Sequence, residues 1–84
     1  MSEEIIGTVS DFFAHPVVAG IELTAVLKVG DKIHIKGHTT DLKMTVDSIQ
    51  ISNEQVAEAK SGDSIGLKVS DRVRSGDSVY KITD

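Results

Sequence analysis

Val29-Gly30-Asp31-Lys32-Ile33-His34-Ile35 is one of three versions of a single phrase. Ser61-Gly62-Asp63-Ser64-Ile65-Gly66-Leu67 and Ser75-Gly76-Asp77-Ser78-Val79-Tyr80-Lys81 are the others. In each, a Gly-Asp pair precedes a run in which apolar residues recur at every second place or nearly so. Gly reaches positive φ at low cost and Asp bonds its own nearby backbone, so Gly-Asp is a chain-reversing pair. The alternation that follows is that of a half-buried strand: Ile33 and Ile35 take one face, and Lys32, His34 and Lys36 the other. The phrase is architectural, and Asp31, Asp63 and Asp77 are read as turn formers rather than catalytic acids.

The same period of two runs through the rest of the chain. Leu42, Met44 and Val46 share one parity, as do Ile65, Leu67 and Val69, and Ala19, Ile21 and Leu23 within the β-rich run from Val17 to Leu27. Ile5–Phe13 opens the chain, and Val79, Tyr80 and Ile82 close it. Leu42, Met44 and Val46 are even whereas Ile49 and Ile51 are odd, so a bulge or sharp bend near Asp47–Ser48 must return both sets to one core. Gly37-His38-Thr39-Thr40-Asp41 reads as a hairpin loop, and His15-Pro16 as a turn between the first two strands. Ser52–Lys60 reads as a loop with some helical character, because Ser52 and Gln55 form a weak capping box ahead of good helix formers. About six strands, three repeated reversals and no long helix predict an all-β fold, a small closed six-stranded antiparallel β-barrel. The expected organisation is one domain over residues 1–84, with residues 1–4 a flexible N-terminus.

The bulk numbers fit that picture. The chain has 84 residues, 39% of them hydrophobic, and no cysteine, so neither a disulfide nor a thiolate metal site supplements the core. A net charge of −4 argues against strong free-standing nucleic-acid binding. No apolar run approaches the roughly 20 residues of a membrane helix, and the start MSEEII carries acids where a secretory signal has bases. The expectation is a cytoplasmic protein with no membrane association.

Three stretches, LKVGDKIHIKG, TVDSIQISNE and EAKSGDSIGLKVSDRVRSGDSVYKI, resemble the second domain of translational GTPases, above all the elongation factor Tu and elongation factor 1-alpha group. The likeness runs from Ile6-Gly7-Thr8-Val9 to Ile82. Its most specific part is the frame Ala59, Gly62, Asp63, Gly66 and Val69, followed by Gly76–Asp77. The resemblance implies a translation-factor domain-2-like barrel, six-stranded and closed. The chain has no G-x-x-x-x-G-K-[ST] phosphate loop, so neither GTP binding nor GTPase activity is expected. In elongation factor Tu this barrel helps to hold the 3′ end of aminoacyl-tRNA through a loop with an acid followed by basic or His residues. Here that loop reads Ile49-Gln50-Ile51-Ser52-Asn53-Glu54, with Gln50 at the acid's place and no cation after it, and Ala25 stands where the family has Gly. The resemblance therefore implies the fold and not the tRNA-end contacts.

Candidate binding residues are cationic. Lys32, His34 and Lys36 share an outward strand face, and Lys43 joins them across the hairpin because its neighbour Leu42 faces inward. Arg72 and Arg74 form a second basic pair in the turn before the last strand. Such residues contact RNA phosphates or an acidic protein partner; their plainer reading is a solvated sheet face, with Lys guarding an edge. Aromatic residues make up 4%, few for a chain that would stack bases. On an extended strand His34 and His38 would lie about 13 Å apart, too far for one ion unless the chain turns at Gly37, and no third ligand accompanies them, so no metal is expected, nor any other cofactor. No nucleophile stands beside a base, and no enzyme is expected. The leading expectation is a translation elongation factor-like, non-catalytic binding module that docks on a translation-related RNA or ribonucleoprotein. The alternative is an accessory subunit that binds a partner enzyme, since a similar barrel occurs as the C-terminal domain of collagenase-like peptidase family proteins, some linked to RNA modification. A third reading is a homo-oligomeric structural protein.

Overall fold

All three Gly-Asp pairs build the same turn. Gly30, Gly62 and Gly76 have φ of 96°, 93° and 95°. The N–H of Asp31, Asp63 and Asp77 donates to the carbonyl three residues back, on Lys28 (3.1 Å), Lys60 (3.0 Å) and Arg74 (3.0 Å). Each Asp carboxylate in turn accepts the N–H of that same residue, at 2.9, 2.9 and 2.8 Å. Positive φ at the third position with this closure is the type II pattern, which requires Gly there.

Each turn is also sewn to one strand residue by two backbone bonds. Val46 receives the Gly30 N–H (2.8 Å) and gives its own N–H to the Asp31 carbonyl (2.9 Å). Leu23 does the same with Gly62 and Asp63 (2.9 and 2.9 Å), and Val9 with Gly76 and Asp77 (2.7 and 2.8 Å). Val46, Leu23 and Val9 are all buried. Both backbone groups of each receiving residue are thereby paired by the turn.

The computed structural model describes residues 2–14 and 17–83; the turn expected at His15-Pro16 lies outside them. The strands are β1 (Ser2–Ala14), β2 (Val17–Leu23), β3 (Leu27–Lys28), β4 (Lys32–Lys36), β5 (Asp41–Thr45), β6 (Ile49–Ile51), β7 (Glu54–Val56), β8 (Glu58–Ala59), β9 (Ser64–Lys68) and β10 (Ser78–Thr83). All pairings are antiparallel. The strand order β5-β4-β10-β1-β2-β9-β6-β7 forms one sheet, and β3-β8 a second, two-stranded one. The three turns launch β4, β9 and β10, and each is stitched beside the strand that pairs with the one it launches: β5, β2 and β1.

The ladder therefore does not close into the expected six-stranded barrel. It ends at β5 and β7, and the two edges are tied indirectly. The β3–β8 ladder links the segment leading into β4, the neighbour of edge β5, to the segment that follows edge β7. The main sheet has eight strands, and the chain after β5 bends out of one ladder into another. β5 pairs β4, whereas β6 pairs β7 and β9, and the bend at residues 46–48 lets Val46 and Ile49 both be buried.

Long β1 is the hinge of the sheet. It pairs β10 over Ser2–Thr8 and β2 over Gly7–Ala14, with register shifts between Ile5 and Gly7 and between Val9 and Asp11. These bulges bring Ile6 and Val9, of opposite parity, into the same core, both only 1% exposed. A Cβ on Gly7 would come within 2.7 Å of the Glu22 carbonyl oxygen, so the closest approach of β1 to β2 needs glycine. The core gathers Ile21, Leu27, Ile33, Ile35, Ile49, Leu67, Val73 and Val79 around them in one cluster. Burying each such side chain contributes about 1.5–3 kcal/mol.

Two expectations change. Residues 2–4, expected as a flexible terminus, begin β1 and pair with Lys81–Thr83. Ser52–Lys60 has no helical character: Ser52 and Asn53 take φ of 52° and 67°, the type I′ geometry of a two-residue hairpin between β6 and β7. Asn tolerates this left-handed region better than most residues, and cross-strand pairing outweighs the weak capping box.

The Asp77 turn is the most tightly enclosed of the three. Asp77 is 6% exposed, and a Cβ placed on Gly37 would collide with its carboxylate. Asp77→Ala is expected to cost about 2–3 kcal/mol and Asp63→Ala about 1 kcal/mol, because only Asp77 is itself buried and its removal also empties an enclosed site. Gly37→Ala should approach the Asp77 cost. Urea unfolding measures all three; equal losses for Asp77→Ala and Asp63→Ala would refute the burial argument.

Candidate binding site

The outer face of β5-β4-β10-β1 carries the chain's charged cluster. Ile5, Tyr80, His34 and Lys43 lie in register across the four strands. On β4, Lys32 and Lys36 flank His34 and pair with Thr45 and Asp41 of β5. His34 was expected to present its ring outward for a partner. It is 6% exposed instead, because carboxylates close over it from both sides. Its Nδ1 lies 2.8 Å from Glu3 Oε2, and its Nε2 meets Asp41 Oδ1. The doubly protonated ring donates to both, the neutral ring to only one. The second Glu3 oxygen accepts from Lys36 Nζ at 2.9 Å, and that ammonium lies 5.2 Å from the centre of the Tyr80 ring.

The network shifts the titration of Glu3, Asp41 and Lys36. Glu3 is lowered below the ordinary carboxylate range, first by its bond to His34 and then by Lys36. Asp41 is lowered by the same imidazole. Lys36 is raised by its bond to Glu3. The four residues fasten β1, distant in sequence, to the β4–β5 hairpin on one face of the sheet.

Beside this network lies an open cleft of about 610 Å³. Lys32, Lys36, Lys43, Met44 and Thr45 line it, with Ser2, Glu3 and Ile82 at the β1–β10 side. Lys36 is committed to Glu3, whereas Lys32 and Lys43 form no ion pair among the described residues. The cleft thus offers two uncommitted ammonium groups on a chain of net charge −4. A smaller hollow bounded by His34, Gly37, Thr40 and Asp41 adjoins the same network.

Of the six cationic candidates, the structure brings Lys32, Lys36 and Lys43 together and encloses His34 among them. Arg72 and Arg74 lie elsewhere. The Arg72 guanidinium sits 6.0 Å from the Phe12 ring, near the end of β1 opposite Glu3, and Arg74 gives its backbone N–H to Asp77. His38 is exposed in the β4–β5 loop, away from the His34 ring's partners. Sequence reasoning missed Glu3 and Asp41. Asp41 was legible as the residue opposite Lys36 across the hairpin. Glu3 was not, because the pairing of β1 through β10 to β4 joins the two ends of the chain. Among the described residues, no helix is long and apolar enough to cross a membrane.

No family model matches the chain. Over 80 residues it is 42% identical to an uncharacterized protease of Methanocaldococcus jannaschii, a stretch that takes in 94% of this chain and 20% of that protein. The chain therefore spans about a fifth of the length of the curated relative it matches. The C-terminal domain of a Geobacillus thermoleovorans protein assigned to the U32 peptidases superposes with a TM-score of 0.89 over 95% of this chain and 93% of that domain, at 14% identity. The selenomethionine variant of that domain gives 0.86 over 90% and 96%, again at 14% identity. At that identity the likeness is one of fold.

The sequence likeness is thus to a stretch of a protease-named protein and the fold likeness to a peptidase's C-terminal domain, not to an elongation factor. The resemblance to the translational GTPase barrel, and the translation role it implied, are thereby overturned. The physical reason lies in the frame that carried the likeness. Its Gly-Asp pairs make type II turns and their docking bonds, and Gly66 lies within β9, so the frame reports local fold geometry rather than what the chain binds.

Acid should loosen the Glu3–His34–Asp41 network. A depressed carboxylate contributes stability that is fully present above its unfolded value and is lost as the pH falls through its folded value. Lys36, raised, contributes below its unfolded value and ceases to as the pH climbs through the folded one. The Asp41 side chain is 81% exposed, so solvent screens its share. Melting temperature followed from about pH 6 to about pH 2.5 should fall for the native chain. His34→Ala should lower stability by about 1–3 kcal/mol at neutral pH and flatten that acid dependence. An unchanged acid dependence in His34→Ala would assign the effect to other carboxylates.

Proposed function

We propose that this chain is a non-catalytic accessory β-domain that serves a peptidase-family polypeptide by binding it, and that the lysine-lined cleft of the β5-β4-β10-β1 face takes part in that contact. The observation that carries the reading is the proportion of the match: 80 residues of this chain correspond to only 20% of a longer protease-named protein. The unit described here is thus joined, in that relative, to some four-fifths of additional polypeptide. The fold likeness to a C-terminal domain of a U32 peptidase supports the same reading.

The chemistry of the face fits binding rather than turnover. Its fixed charges are spent on holding strands together, apart from Lys32 and Lys43, which are aimed at solvent-filled space. Capture from native lysate on the immobilised chain, with nuclease treatment, tests the proposal. The expected result is one polypeptide retained in near-stoichiometric amount, related to the remaining portion of the archaeal relative. Retention that vanishes on nuclease treatment, or peptidase activity in the purified chain alone, would overturn it.

A further inference from the structure

The edge strand β5 differs from every interior strand in two respects. Its outer side meets no other element of the described residues beyond isolated contacts, whereas β4 packs along its inner side. Its inward residues, Leu42 and Met44, remain half-buried although their partners Ile35 and Ile33 are fully buried. The sheet stops one strand short of covering its own core face.

The free backbone groups can be assigned from the register. In the β4–β5 hairpin the Gly37 N–H bonds the Thr40 carbonyl at 2.8 Å, and the Val46 N–H bonds the Asp31 carbonyl at 2.9 Å. Antiparallel pairs alternate, so the pairs between these, Ile35 with Leu42 and Ile33 with Met44, exchange the ladder bonds. The N–H and C=O groups of Lys43 and Thr45 therefore face away from β4, unpaired. On the outer face of the same stretch stand Lys43 and, opposite Thr45, Lys32: the two uncommitted cations of the cleft.

We infer that β5 accepts an extended acidic peptide as an added strand. The peptide's main chain pairs with Lys43 and Thr45, its carboxylates lie against Lys43 and Lys32, and its alternate apolar side chains cover Leu42 and Met44. The pattern that fits is Glu or Asp at every second place with aliphatic residues between, and no acid opposite Asp41, where like charges would repel. Strand addition of this kind draws affinity from main-chain bonds and selectivity from the alternate side chains. This inference rests on the reading of the chain as a binding domain and names the chemistry of the segment it binds. Lysines on an edge strand also act as a guard against unwanted pairing. The two roles are compatible: they repel basic and uncharged edges and leave acidic ones admissible.

The test uses two blocked synthetic hexapeptides, one of alternating Glu and Val, the other of alternating Lys and Val. Each is titrated into the intact chain at low salt, with binding read from amide hydrogen exchange and NMR shifts. The Glu-Val peptide should bind at least about tenfold more tightly, weaken as salt rises, and protect the amides of Lys43 and Thr45. The double variant Lys32→Glu, Lys43→Glu should reverse the preference between the peptides. Thr45→Pro removes an outward N–H without removing a ladder bond, so it should abolish binding while the native melt is retained. Equal affinity for both peptides, protection confined to other strands, no binding at millimolar peptide, or binding of single-stranded RNA in the same cleft without the Glu-Val peptide would each overturn the inference. The lysate capture separates this from the broader reading. If the charge-reversed variant loses the peptide but still retains the polypeptide, docking through β5 fails and the accessory role stands. If the native chain binds the peptide but captures nothing, the accessory role fails and the acceptor strand stands.

Discussion

The fold depends on a reversal that leaves no backbone group unpaired inside. In a small β-domain the chain must turn repeatedly, and every turn brings N–H and C=O groups to the rim of an apolar core, where each unpaired one costs about 1–3 kcal/mol. The Gly-Asp turn answers this three times in the same way. Glycine supplies the positive φ, the aspartate side chain takes one amide, and the Gly N–H and Asp carbonyl engage both backbone groups of Val46, Leu23 or Val9. The turn thereby extends the ladder between the strand it launches and that strand's partner. Turn and core are one device, since the residue that receives the turn also fills the interior.

The charged network on the outer face does with side chains what the turns do with backbone groups. His34 binds Glu3, from the first strand, and Asp41, from the edge strand, and Glu3 reaches on to Lys36. A histidine expected to face solvent becomes a fastener because two carboxylates arrive from elsewhere in the chain. That assignment leaves Lys32 and Lys43 as the cleft's cations without an ion pair among the described residues, on a sheet that ends at β5 with part of its core face open. The proposed binding surface is what remains after the fold has satisfied itself.

The likeness to an elongation-factor barrel shows how a correct local reading leads to a wrong kinship. Gly62, Asp63, Gly66, Gly76 and Asp77 are spaced by the geometry of turns and strands, and geometry recurs in unrelated families. The informative residues were those outside the frame. Gln50, Ser52, Asn53 and Glu54 lack the charges of a tRNA-end site, and they instead build a two-residue hairpin with Ser52 and Asn53 at positive φ. The loop argued only against tRNA-end contacts; the likeness to a protease-named archaeal protein and to a peptidase's C-terminal domain came from the comparisons.

The amino-acid sequence by itself determined the elements with local causes. These are the strand at Lys32–Lys36 with Ile33 and Ile35 inward, the hairpin at Gly37–Asp41, the three Gly-Asp reversals, and the bend near Asp47–Ser48 that carries Val46 and Ile49 to one core. Each is set by φ preferences or by a period of two over a few residues. Tertiary structure alone decided that the ladder stays open at β5 and β7, that bulges in β1 turn Ile6 and Val9 to the same side, that Glu3 closes over His34, and that Arg72 lies apart from the lysines. Those outcomes depend on which strands pair across the whole chain length. Such pairing is settled by packing one shared core, which no local window of sequence contains.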